Sequence, residues 1–179
     1  MGIALCAYIR YPLAHTDSLF TYRGIMKEYP YVSILTEWAE TTACAIDAYS
    51  CSFERTLLLK MTLEKNDIKI IYKAYRTLTT EILRITEGSG SIAAEISREL
   101  CLADKKMDMQ RTAGLSAILE IYIKWSNALS AFIRGSDKLF AKKEADFRLS
   151  EALALSNTLR SATEKMKGDL QNEELYSRA

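Results

Sequence analysis

The chain has 179 residues, of which 49% are apolar by the broad count and 26% are charged. That apolar fraction excludes disorder, and no stretch approaches the ~20 uncharged apolar residues a membrane helix needs. Lys and Arg number 24 against 23 Asp and Glu, so no broad field draws the chain to nucleic acid or to an anionic membrane, and neither partner is expected.

The single histidine, His15, removes most metal-site and histidine-base chemistry. It lies in a turn-like stretch, Leu13-Ala14-His15-Thr16-Asp17, where the neighbouring Ser18 does not make a catalytic triad. Four cysteines (Cys6, Cys44, Cys51 and Cys101) are too dispersed for a four-cysteine zinc site and read as reduced, packed thiols. A short apolar N-terminus lacks the basic flank of a signal peptide, so a cytoplasmic protein is expected.

Residues 1–30 read as an irregular or short extended arm. Both prolines, Pro12 and Pro30, fall here, and the stretch is rich in β-branched and aromatic residues. Tyr8, Tyr11, Phe20, Tyr22 and Tyr29 are interleaved with few charges, which suits an interface better than a base-stacking surface. The arm is expected to pack on the body of the protein or be traded with a second subunit. A homo-oligomer is the favoured outcome.

Residues 31–179 contain no proline and read as one all-α domain, an antiparallel bundle of four to six helices with near-heptad seams. The segment from Tyr31 to about Lys65 reads as one long helix, or as two in line with a break near Ser50. Asn66-Asp67 is a turn that caps the next helix, which runs to Glu87. Gly88-Ser89-Gly90-Ser91 is expected to be a loop before a short helix from Ile92 to about Ala103. A helix from about Met107 to Arg134 follows, and after Gly135 a last helix ends near Lys167. Four glycines thus mark helix ends, and Gly114 alone marks a close crossing.

Three seams support this reading. Ile68, Ile71, Tyr75, Leu78, Ile82 and Ile85 step by three and four, as do Leu115, Ile118, Tyr122, Trp125, Leu129 and Phe132. Ala145, Leu149, Ala152, Ser156, Leu159, Thr163 and Met166 repeat the step with small residues. The aromatic seam is expected to be the central helix and the small-residue seam the most peripheral.

Glu40, Asp47 and Glu54 recur every seven residues, on one helix face. Asp47, inside an apolar run, is either exposed on a narrow polar stripe or buried against Arg98 or Arg111. No cofactor and no metal ligand set emerges, and no phosphate loop is completed. The function expected is a non-enzymatic scaffold or adaptor that binds protein, itself included. The alternative is a binding protein or enzyme with an interior cavity for a lipid- or isoprenoid-like ligand, with Asp47, Tyr75, Tyr122 and Trp125 as its buried polar or lining residues.

Overall fold

A computed structural model of the chain describes residues 30–58, 63–141 and 147–176. They form four helices: α1 (Pro30–Leu58), α2 (Lys65–Lys105), α3 (Met109–Phe140) and α4 (Leu149–Tyr176). No strand occurs among the described residues. The expectations for the arm, including Tyr8, Tyr11, His15, Phe20, Tyr22 and Tyr29, lie outside them.

The helices begin and end for local reasons. Proline sits at the first position of α1, where its missing N–H costs nothing. At the start of α2 the Asp67 carboxylate accepts the backbone N–H of Glu64 at 2.9 Å. Between α2 and α3 the chain reverses through Lys106, Met107 and Asp108. Met107 N–H donates to the Asp104 carbonyl and Asp108 N–H to the Ala103 carbonyl, a Schellman closure with Met107 left-handed at φ 56°. Asp108 then caps α3 by accepting the Arg111 N–H at 3.1 Å.

Helix α2 corrects the expected division at Gly88-Ser89-Gly90-Ser91. Two glycines in a helix interior cost about 1 kcal/mol each. The buried series Ile82, Ile85, Ser89, Ile92 and Ile96 nevertheless continues through them, and its packing overrides the local signal. Gly135 and Gly168 also lie within helices. A Cβ on Gly135 would meet Leu155 Cδ2 at 2.7 Å, so this glycine marks where α3 and α4 approach closely. Of the two alternatives for the first helix, one long helix or two with a break near Ser50, α1 takes the first and runs unbroken through Ser50.

Helix α2 packs on α1 and α3, and α4 packs on α3 and α1. Each helix therefore has two principal neighbours, which corrects the picture of a central α3 and a peripheral α4. The small residues of α4 are as buried as the aromatics of α3: Ala152, Ser156 and Thr163 have no exposed surface. Small side chains there leave room for the large ones opposite.

Candidate functional site

Among the described residues, three regions hold the chemistry-bearing side chains: the interior, the α1–α4 seam, and the tip where α2 turns into α3.

In the interior, large aromatics reach polar partners on other helices. The Tyr75 hydroxyl shares a 2.8 Å hydrogen bond with Ser136 Oγ, and Ser136 Oγ is 2.8 Å from the Phe132 carbonyl. The Tyr122 hydroxyl donates toward the Ser89 carbonyl at 3.1 Å. The Trp125 indole N–H donates to Thr163 Oγ1 at 3.2 Å. Tyr75 also packs edge-on against Tyr49, ring centroids 5.3 Å apart, and lies beside Phe132, Phe140 and Phe147. Burial pushes the Tyr75 phenol up to about 12 despite the opposing bond to Ser136. Burial, and then the nearby Tyr75, also raises Tyr49. Neutral phenols are therefore the folded forms at ordinary pH. The Tyr49 hydroxyl and Thr42 Oγ1 are buried with no hydrogen-bond partner among the described residues.

On the α1–α4 seam, Arg160 Nη2 contacts Asp47 Oδ1 at 2.7 Å and Ser50 Oγ at 3.0 Å. Asp47 is exposed, which rules out the buried alternative, and its partner is neither Arg98 nor Arg111. The heptad step places Asp47 outside the core while Ile46 beside it points in. Glu40 and Glu54 are also exposed, so the three acids make a solvated stripe. Cys44, Cys51 and Cys101 are free and exposed, contrary to the packed thiols expected. Among the described residues no three His, Cys, Asp or Glu side chains gather as a metal site.

At the tip, the Tyr31 hydroxyl donates to Glu99 Oε1 at 2.9 Å, and Arg111 Nη2 donates to Glu99 Oε2 at 2.8 Å. One carboxylate thus ties the start of α1 to the end of α2 and the start of α3. Partial burial opposes ionisation of Glu99, but the Arg111 and Tyr31 hydrogen bonds outweigh it and hold the carboxyl below its usual range. Burial and the bond to Glu99 push the Tyr31 phenol up to about 12. Beside this junction Leu102, Met107 and Met109 are 50%, 85% and 81% exposed. Sequence reasoning passed over this group. The available signal was Met107-Asp108-Met109, two methionines two apart in a polar run, a spacing no helix seam uses.

The structure thus brings Tyr75 and Tyr49 together in the interior. It pairs Tyr122 with Ser89 and Trp125 with Thr163, and leaves Asp47 outside with Arg160. Compared with known proteins, the chain matches no family model, no curated protein and no solved structure.

Proposed function

We propose that this protein is a non-enzymatic helical scaffold that works from its outer surface, binding other proteins and a second copy of itself. The observation that carries the reading is how large and small side chains share the interior.

The contacts between helices suggest an antiparallel arrangement with heptad seams. Tyr75 meets Ser136, Ser89 meets Tyr122 and Glu99 meets Arg111, so rising numbers on α2 face falling numbers on α3. Tyr49 meeting Tyr75 and Tyr31 meeting Glu99 give the same sense for α1 and α2. Trp125 with Thr163 and Gly135 beside Leu155 give it for α3 and α4. Extending these pairs by the buried three-and-four spacing yields layers with one residue from each helix.

In those layers size is complementary. Tyr49 and Tyr75 share a layer with Ser136. Trp125 shares one with Ala39 and Thr163, and Tyr122 shares one with Ser89; all of these are buried, as is Ser136. Such alternation keeps the volume of each layer nearly constant and fills a bundle core to ordinary density. A filled core leaves no room for a lipid-like ligand, which needs a cavity of several hundred Å³.

Two oxygens favour the alternative, an occupied interior: Tyr49 hydroxyl and Thr42 Oγ1, buried without partners among the described residues. Both are polar and lie two turns apart on α1, so they suit single water molecules better than an apolar chain.

Light scattering of the full chain at tens of micromolar tests the self-association. A mass near twice the 20.3 kDa of one chain supports it, and a mass of one chain overturns that part of the proposal. Titration with a fluorescent fatty acid separates the classes: the scaffold binds none, and saturable one-to-one binding would favour the cavity.

A further inference from the structure

We infer that copies of this chain dock through opposite charges, the acidic outer stripe of α1 on one copy lying against the basic outer stripe of α2 on the next. This rests on the self-association proposed above and names the two surfaces that carry it.

The net charge is only +1, but the signs are sorted between helices. Helix α1 carries four acids, Glu37, Glu40, Asp47 and Glu54, against Arg55 alone. All four acids are exposed, and neither Glu40 nor Glu54 has an ion pair among the described residues. Asp47 meets Arg160 with its own side chain still 63% exposed, which sets the stripe on the side of α1 toward α4.

From Lys65 to Arg84, α2 carries five bases and two acids. Both acids are engaged close by: Asp67 accepts the Glu64 N–H, and Glu81 pairs with Arg84. Lys65, Lys69, Lys73 and Arg76 are exposed and have no ion pair among the described residues. The last three step by four and three on the side of α2 away from buried Ile71, Tyr75 and Leu78. The Tyr75–Ser136 bond brings exposed Arg134 and Lys138 of α3 to the same height, with Asp137 the one acid between them. Lys65 even stands in the first turn of α2, where the helix dipole disfavours a positive charge. An acidic partner offsets what the helix does not.

The spacings match as well as the signs. Glu40, Asp47 and Glu54 recur every seven residues, about 10 Å along the axis, and Lys69 and Arg76 stand the same distance apart. Two helices laid side by side can therefore pair acids with bases in register. The stripes belong to different surfaces of the molecule, so the contact is heterologous.

Charge balance selects a second copy over a nucleic acid or an anionic membrane. A polyanion drawn to the bases also meets the field of the acids on α1, and a net +1 supplies no long-range attraction. Tyr72, the aromatic nearest these bases in α2, is half-buried and offers no open face for stacking.

Sedimentation velocity at about 50 and about 500 mM salt tests this with two charge-reversed variants, Lys69→Glu/Arg76→Glu and Glu40→Lys/Glu54→Lys. All four side chains are exposed, and circular dichroism checks that helix content is unchanged. Each variant alone should associate about tenfold more weakly than wild type or worse, because like charges then face each other. High salt should weaken the wild type in the same direction. Mixing the two variants should restore association, since the reversed stripes match again, whereas damage to the fold is not repaired by mixing. Wild-type association that neither reversal changes overturns the inference and leaves self-association to another surface. A wild type that stays one chain at low salt overturns both. A labelled oligonucleotide held through Lys69 and Arg76 would then assign the bases to a phosphate backbone instead.

Discussion

Trp125 and Thr163 join α3 to α4 through a single hydroxyl. The indole N–H donates to Thr163 Oγ1 at 3.2 Å, and the same oxygen donates to the Leu159 carbonyl at 2.9 Å. Both residues are almost wholly buried. The threonine thus satisfies the indole while remaining satisfied itself, and it fixes which turn of α4 faces which turn of α3.

Removing either partner has a distinct expected cost. Trp125→Ala deletes a large buried ring and should lose about 3–5 kcal/mol in urea unfolding. Thr163→Val keeps the shape but orphans the indole N–H, for about 1–3 kcal/mol. A valine variant as stable as wild type would show that the bond contributes nothing.

The glycines inside helices differ in what an added methyl would meet. Cβ atoms on Gly88 and Gly90 meet nothing within 4 Å, so Gly88→Ala and Gly90→Ala should each stabilise by about 0.5–1 kcal/mol through helix propensity. Gly135→Ala brings a methyl against the δ-carbons of Leu155, whose side chain must shift, so it should gain less than either, within about 0.5 kcal/mol of wild type. Melting temperatures of the three variants check the contrast.

Alkali should unfold the bundle through its tyrosines. Tyr31 and Tyr75 are held up to about 12, against about 10 for a phenol in the unfolded chain. The unfolded state then loses protons first, so stability is whole below about pH 10 and falls as pH rises toward about 12. Tyrosinate absorbance followed with helix content should rise for these residues only as the helices melt.

Met107→Gly should raise stability by about 1 kcal/mol, since glycine adopts φ 56° without strain. Chemical denaturation of the full chain measures it. A loss instead would mean that the methionine side chain contributes more to the fold than its cap position costs.

The residues explain why some of this was legible in the sequence and some was not. The seam from Leu115 to Phe132 shows in the chain because large apolar residues mark every inward step. Ser89 hides the same rhythm in α2, because a serine between two glycines looks like a turn until the Tyr122 ring opposite is seen to need the space. Ser156 and Thr163 disguised α4 in the same way: small inward residues answer large ones on another helix, and one helix's pattern does not disclose its neighbour's. The Asp47 partner was equally hidden, since Arg160 is distant in sequence and reaches it only once α1 and α4 lie side by side. The methionine tip has no periodicity at all, and its place beside the start of α1 depends on the Tyr31–Glu99 contact.

The proposal of a filled interior is tested most directly by adding volume where no hydrogen bond is disturbed. Ala152 has no exposed surface and carries only a methyl group. Equilibrium urea unfolding of Ala152→Leu should show a loss of about 1–3 kcal/mol, the cost of forcing extra carbons into a packed core. A variant as stable as wild type, or more so, would mean that the core holds unfilled space, and would contradict a protein that works only from its surface.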